Sequence, residues 1–124
     1  MILVVDDNVE TCNLLMRVLK IAHNEGYCVG GGYAAMSWLE NNRPDLVILD
    51  VNMPDISGLE ILKRIKSNPE LRSIPVVMHT ALPAAEIVKE ANDCGADGVL
   101  LKGRYQLGDV IEVVKTFTPP CRDN

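Results

Sequence analysis

The stretch Leu46-Val47-Ile48-Leu49-Asp50 consists of four apolar residues followed at once by a carboxylate. A short, continuously apolar run with β-branched residues is typical of a strand buried on both faces, as in a parallel sheet covered by helices. Similar runs lie at residues 2–5, 27–29, 74–78 and 98–101. The chain is therefore predicted to contain five strands.

Between these runs, apolar residues recur every three or four positions, which is the spacing of amphipathic helices. Helices are predicted over residues 9–19, 34–39, 59–65, 84–94 and 107–114. Strand and helix thus alternate five times along the chain. Because crossovers between parallel strands are right-handed, this order favours an α/β fold with a doubly wound parallel sheet.

Length and charge exclude several classes of protein. The chain has 124 residues, 48% of them hydrophobic, and a formal net charge of −5, which predicts one soluble, acidic domain. Duplex nucleic acid is disfavoured as a partner, because its binders carry clustered Lys and Arg. No apolar run approaches the roughly 20 residues that span a bilayer, and no signal peptide is evident, so a cytoplasmic location is expected.

The four cysteines contain no Cys-x-x-Cys pair and are predicted to be free thiols rather than zinc ligands. Cys12, Cys28 and Cys94 lie in apolar segments, as small core residues do, whereas Cys121 lies in the polar C-terminal segment.

Polar residues follow four of the five strands, where doubly wound sheets bind ligands. They are Asp6-Asp7, Asp50, Thr80-Ala81 and Lys102. Three carboxylates brought together repel unless a cation lies among them. Mg²⁺, or Mn²⁺ in its place, suits a site with a few carboxylates, water and a phosphoryl group.

The lysine beside these carboxylates indicates phosphoryl chemistry. An aspartate can attack phosphorus and form an aspartyl phosphate. Lys102 would then neutralise the charge on the phosphoryl oxygens, Thr80 would donate a hydrogen bond to one of them, and Ala81 would leave room for the group.

These residues together resemble the receiver domain of two-component response regulators, the CheY-like family. The resemblance rests on Asp6-Asp7, on Asp50 followed by Met53-Pro54 and Gly58, on Thr80-Ala81 and on Lys102. It implies the (βα)5 flavodoxin-like fold with strand order 2-1-3-4-5. The receiver domain would cover residues 1–117, followed by a C-terminal tail over 118–124.

The resemblance also implies a role for each site residue. Asp50 would be the phosphoacceptor, Lys102 would pair with the phosphoryl group, and Thr80, followed by Ala81, would be the switch hydroxyl. The metal would be held by the side chains of Asp7 and Asp50, by the backbone carbonyl of Asn52, and by Asp6 through a water molecule.

By the same resemblance the domain is a regulator and not an enzyme, catalysing only its own phosphorylation and dephosphorylation. The donor would be a sensor histidine kinase or a histidine phosphotransfer protein, and the output would be binding to a downstream protein or effector domain. No direct nucleic-acid or membrane binding is expected, and dimerisation would use the fourth and fifth helices. The chain is either a stand-alone regulator or a domain of a longer protein.

Three positions depart from the family pattern. Gly103 follows the lysine where the family has proline, and a trans peptide is expected there because a non-proline cis bond costs about 3 kcal/mol. Val99 stands where relatives often carry an aromatic switch residue. Leu82 stands where many carry a polar side chain, which predicts slower loss of the phosphoryl group than in a Leu82→Glu variant.

Alternative interpretations remain open at this stage. Asp6-Asp7 could cap the first helix, and His79 could be a packed or solvated side chain without a role in catalysis. A pseudo-receiver that binds proteins constitutively would keep the fold without phosphorylation. A haloacid-dehalogenase-like phosphatase is disfavoured because Asn52 stands where such enzymes carry a second aspartate.

Overall fold

The computed structural model describes residues 1–81, 85–103 and 105–118. Strands and helices alternate throughout this part of the chain. They are β1 (Ile2–Val5), α1 (Val9–Ile21), β2 (Gly26–Val29), α2 (Gly32–Leu39), β3 (Leu46–Asp50), α3 (Gly58–Ser67), β4 (Val76–Thr80), α4 (Ala85–Asp93), β5 (Gly98–Leu101) and α5 (Leu107–Phe117).

All strand pairs are parallel, and the sheet order is β2-β1-β3-β4-β5. The predicted doubly wound sheet and its strand order are confirmed. Val5 pairs with Leu49, and Asp50 pairs with His79. This register brings the carboxyl ends of β1, β3 and β4 to the same level, so the residues that follow these strands meet at one edge.

The core has two layers, one on each face of the sheet. Leu3 and Leu49 belong to the layer that includes side chains of α2, α3 and α4, while Ile2 and Ile48 belong to the layer with α1 and α5. Because successive side chains of a strand point to opposite faces, strands covered on both faces must be apolar at every position. This explains the uninterrupted apolar runs. Among the described helices, none combines the length and apolarity needed to cross a bilayer.

Local capping determines where the helices begin. The side chain of Asn8 accepts hydrogen bonds from the N–H groups of Glu10 and Thr11 and so caps α1. The interpretation of Asp6-Asp7 as the helix cap is therefore wrong. Ser57 caps α3 by accepting from the N–H of Leu59.

The predicted boundaries differ from the observed ones mainly at β4. The strand was predicted over residues 74–78 but runs over Val76–Thr80, so Thr80 ends the strand instead of following it. Pro75 has no N–H to donate to a sheet ladder and precedes the strand. The predicted start of the fourth helix at Ala84 and the tail beyond Thr118 lie outside the described residues.

The prediction of free thiols is wrong for two cysteines. Cys12 on α1 and Cys28 on β2 form a disulfide, with their Cα atoms 6.1 Å apart. The pairing arises because α1 packs against β2, a contact that cysteine spacing does not reveal. Cys94 is free and half-buried, as expected. Cys121 lies outside the part of the chain that the structure describes.

Candidate functional site

Three carboxylates meet at the carboxyl edge of the sheet. Asp6 follows β1 and is 2% exposed, Asp50 ends β3 and is 4% exposed, and Asp7 is exposed to solvent. One oxygen atom of each lies within 4.8 Å of the others. A donor set of three hard carboxylate oxygens, two of them buried, fits a small divalent cation such as Mg²⁺ or Mn²⁺.

Lys102 places its ammonium between the two buried carboxylates. Its Nζ lies 2.9 Å from Asp6 Oδ2 and 3.3 Å from Asp50 Oδ2. The backbone anchors the residue, because the N–H of Lys102 donates to the carbonyl of Thr80 at 2.7 Å. Burial alone would lower the pKa of Lys102, but the hydrogen bond to Asp6 and the charges of Asp50 and Asp6 raise it above its usual value. The side chain therefore stays cationic at neutral pH.

Asp50 carries unfavourable charge in this arrangement. Burial first, and then the neighbouring charge of Asp6, raise the pKa of Asp50 above 3.8, while Lys102 and the N–H of Asn52 offset part of the effect. That N–H lies 3.4 Å from Asp50 Oδ1. A single ammonium thus leaves the paired carboxylates incompletely neutralised, and further positive charge would stabilise them.

The remaining predicted site residues lie after β3 and at the end of β4. Asp6 Oδ1 accepts a hydrogen bond from the N–H of Asn8 at 2.9 Å, which fixes the orientation of its carboxylate. Thr80 is fully buried at the end of β4, whereas Ala81 and Asn52 are exposed. The structure therefore brings together Asp6, Asp7, Asp50 and Lys102, and a backbone hydrogen bond joins Thr80 to Lys102.

The loop after Asp50 is held tightly by a glycine. The N–H of Gly58 donates to the carbonyl of Val51 at 2.8 Å. A Cβ atom on Gly58 would lie 1.9 Å from the backbone oxygen of Asp50. The first turn of α3 thus packs directly on the backbone of Asp50, which requires glycine.

Asp55 ties the same loop to α2 and was not singled out by the sequence. Its carboxylate accepts hydrogen bonds from the N–H groups of Gly32 and Tyr33 at 3.1 and 3.0 Å. The hydrogen bond from Tyr33, helped by those from Gly32 and Ile56, lowers the pKa of Asp55. Asp55 is 23 residues from Gly32 and 22 from Tyr33, so no local sequence signal connects it to α2.

His79 and Tyr105 were likewise not assigned to the site. His79 is 1% exposed, and its Nε2 lies 2.7 Å from the hydroxyl oxygen of Tyr105. Its Nδ1 lies 4.0 Å from Asp6 Oδ2. Burial, followed by the charge of Lys102, lowers the pKa of His79 to about 4, against the influence of Asp6. In the sequence, the only signals were that His79 directly precedes Thr80 and that Tyr105 lies three residues after Lys102.

Two of the three departures from the family pattern can be located. The Lys102–Gly103 peptide is trans, as expected, and Gly103 has a φ of +77°, a conformation that glycine adopts readily. Val99 is half-buried against the core. Leu82, and with it the predicted effect on phosphoryl lifetime, lies outside the described residues.

Comparison with known proteins agrees with this architecture. Residues 2–115 match the model of the response regulator receiver domain, and the chain belongs to this family. It is 28% identical over 116 residues to the polar-differentiation response regulator DivK of Brucella anthropi, covering 94% of each protein.

Solved structures show the same fold. The chemotaxis protein CheY4 of Vibrio cholerae is similar with a TM-score of 0.85 and 26% identity, over 94% of this chain and 96% of that one. The Mn²⁺-bound form of the response regulator Rcp1 is similar with a TM-score of 0.80 and 33% identity, over 93% and 88%. The chain is thus a receiver domain of the two-component signalling type.

Proposed function

We propose that this receiver domain is a switch that accepts a phosphoryl group on Asp50 in the presence of Mg²⁺ or Mn²⁺. The donor is a phosphohistidine on a sensor histidine kinase or a histidine phosphotransfer protein. The observation that carries the proposal is the position of Lys102 Nζ, 2.9 Å from Asp6 Oδ2 and 3.3 Å from Asp50 Oδ2. An ammonium held there is ready to neutralise a phosphoryl group on Asp50.

The phosphoryl transfer needs no reactant other than the Asp50 carboxylate and the donor phosphohistidine. An oxygen of the Asp50 carboxylate forms a bond to phosphorus, and the bond between phosphorus and the donor imidazole nitrogen breaks. The electron pair of that bond stays on the nitrogen. Lys102 stabilises the charge on the phosphoryl oxygens, and the hydroxyl of Thr80 donates a hydrogen bond to one of them.

The proposed metal ligands are the side chains of Asp7 and Asp50, the backbone carbonyl of Asn52, and Asp6 through a water molecule. When bound, the cation supplies charge neutralisation at the phosphoryl oxygens. The three clustered carboxylates and the raised pKa of Asp50, caused first by burial and then by Asp6, support this assignment. Ala81 keeps the mouth of the site open, consistent with its small exposed side chain.

The output is a changed affinity for a downstream protein or effector domain, and dimerisation uses the surface of α4 and α5. The proposed domain covers residues 1–117 and acts in the cytoplasm. It is regulatory, catalysing only its own phosphorylation and dephosphorylation.

The test is intact mass spectrometry after incubation with acetyl phosphate, with and without Mg²⁺. Asp50→Asn is the matched control, because it removes the nucleophilic charge with little change in shape. We expect one added phosphoryl group, only with Mg²⁺ and only in the unsubstituted protein. If neither acetyl phosphate nor the stable phosphoryl mimic beryllofluoride binds, the proposal is wrong and a constitutive protein-binding module is the better interpretation.

A further inference from the structure

A hydrogen-bonded pair of side chains lies beside the acidic cluster and takes no part in the proposed chemistry. His79 on β4 and Tyr105, between β5 and α5, contact each other through Nε2 and the phenolic oxygen at 2.7 Å, with ring centroids 5.4 Å apart. His79 Nδ1 is a buried nitrogen without a hydrogen-bond partner in the described part of the chain. A buried ring nitrogen left unpaired is costly and calls for a physical explanation.

The charges around His79 select one tautomer. Nδ1 faces Asp6 Oδ2 at 4.0 Å. If Nε2 carried the proton, the lone pair of Nδ1 would point toward a carboxylate oxygen. If Tyr105 donates its hydroxyl hydrogen to Nε2, Nδ1 carries the proton and its N–H points toward Asp6.

Tyr105 connects this pair to the surface. Its side chain lines the groove between β5 and α5, together with Val99, Glu112 and Val113. On its other side, Tyr105 lines a second cavity, between α1 and α5, together with Leu107. Displacement of the Tyr105 ring would therefore change the shape of the groove.

We infer that Tyr105 and His79 form a relay that couples the state of the acidic cluster to the groove between β5 and α5. The inference rests on the proposed function and describes how that site is read out. Lys102 is shared between Asp6 and Asp50 in this structure. A phosphoryl group on Asp50 draws the ammonium toward itself and away from Asp6, because the phosphorylated side chain carries roughly two negative charges where the carboxylate carried one.

Asp6 Oδ2 then becomes available to the N–H of His79 Nδ1. Closing the present gap of 4.0 Å to a normal hydrogen bond of about 2.9 Å requires the ring to move by roughly 1 Å. Since Nε2 is bonded to Tyr105, the tyrosine follows the ring and the groove changes. His79 and Tyr105 are thus positioning residues and not catalytic ones.

The first arm of the test uses the full chain without ligands, with ¹⁵N-labelled histidine, because imidazole ¹⁵N chemical shifts report which nitrogen is protonated. His79→Gln assigns the signals against the exposed His23. We expect a neutral His79 with the proton on Nδ1, and a changed Nε2 shift in Tyr105→Phe. A proton on Nε2 in the unsubstituted protein would overturn the relay.

The second arm records amide shifts on addition of beryllofluoride and Mg²⁺. In Tyr105→Phe we expect the response at Val99 and Val113 to fall at least twofold, while the response at Thr80 persists. Tyr33→Phe, at an exposed tyrosine on α2, is the control and should respond like the unsubstituted protein. An unchanged groove response in Tyr105→Phe refutes the coupling alone, whereas no binding of beryllofluoride by the unsubstituted protein refutes the proposed function and the coupling with it.

Discussion

Replacing Gly58 with alanine should destabilise the protein because the new methyl group meets backbone atoms. The added Cβ would lie 1.9 Å from the backbone oxygen of Asp50 and 2.9 Å from the Cα of Val51. Backbone atoms cannot rotate away as a flexible side chain can. Either the end of β3 or the first turn of α3 must move by roughly 1 Å to restore normal contact distances.

The expected loss is about 3 kcal/mol in the free energy of unfolding, at the upper end of the cost of overpacking a core. For a domain of 124 residues, this corresponds to a decrease in Tm of about 10 °C. Urea denaturation followed by circular dichroism measures the loss directly. Since the displaced atoms belong to Asp50, the acetyl phosphate reaction should slow as well.

Gly108→Ala is the matched control, since it makes the same chemical change in α5. A Cβ on Gly108 meets no atom within 4 Å, and alanine favours helix over glycine by up to about 1 kcal/mol. This variant should be as stable as the unsubstituted protein or more so. If Gly58→Ala matched Gly108→Ala in stability, the argument from the close approach to Asp50 would be refuted.

Three further changes probe contacts away from Gly58. Lys66→Met should lower the free energy of unfolding by about 2 kcal/mol, because Lys66 Nζ donates to two backbone carbonyls and a carboxylate at 2.9 to 3.2 Å. The control is Lys63→Met, which removes a half-exposed ion pair of 3.7 Å and should change stability by less than about 0.5 kcal/mol. Burial, and then the charge of Lys102, lower the pKa of His79 from 6.5 to about 4. As the pH falls, the unfolded chain therefore binds this proton before the folded protein does, and stability decreases between pH 6.5 and 4. His79→Gln should remove about 3 kcal/mol of that decrease, measured by urea titration at each pH. The carboxylate of Asp55 accepts hydrogen bonds from the first two amides of α2. Asp55→Ala should therefore accelerate hydrogen exchange at these amides and leave exchange at the start of α5 unchanged.

Equal stability losses in the two lysine variants would show that the three hydrogen bonds of Lys66 contribute nothing. An unchanged pH profile in His79→Gln would mean that the native histidine titrates normally. Unaltered exchange at the start of α2 in Asp55→Ala would show that water replaces the carboxylate without cost.

Much of the fold follows from local pattern. The run at residues 46–49 predicted β3 because a strand covered on both faces needs apolar residues throughout, and both faces are covered in the structure. The same reasoning placed Asp6, Asp50 and Lys102 at the carboxyl ends of strands in one parallel sheet. Their convergence needed only the general geometry of a parallel sheet.

Contacts between distant segments could not be predicted in this way. The disulfide between Cys12 and Cys28 depends on how α1 packs against β2, and the anchoring of Asp55 to α2 joins residues more than 20 positions apart. Neither contact leaves a periodic or compositional signal, because the partners become neighbours only after the helices pack on the sheet.

The sequence by itself determined the order of strands and helices and the chemical groups at the carboxyl edge of the sheet. These depend on hydrophobic periodicity and on residue identity, which are local properties. Only the tertiary structure decided that Lys102 lies between Asp6 and Asp50 and that His79 is buried against Tyr105. Such placements depend on distances between segments far apart in the chain, which packing sets to within a few tenths of an ångström.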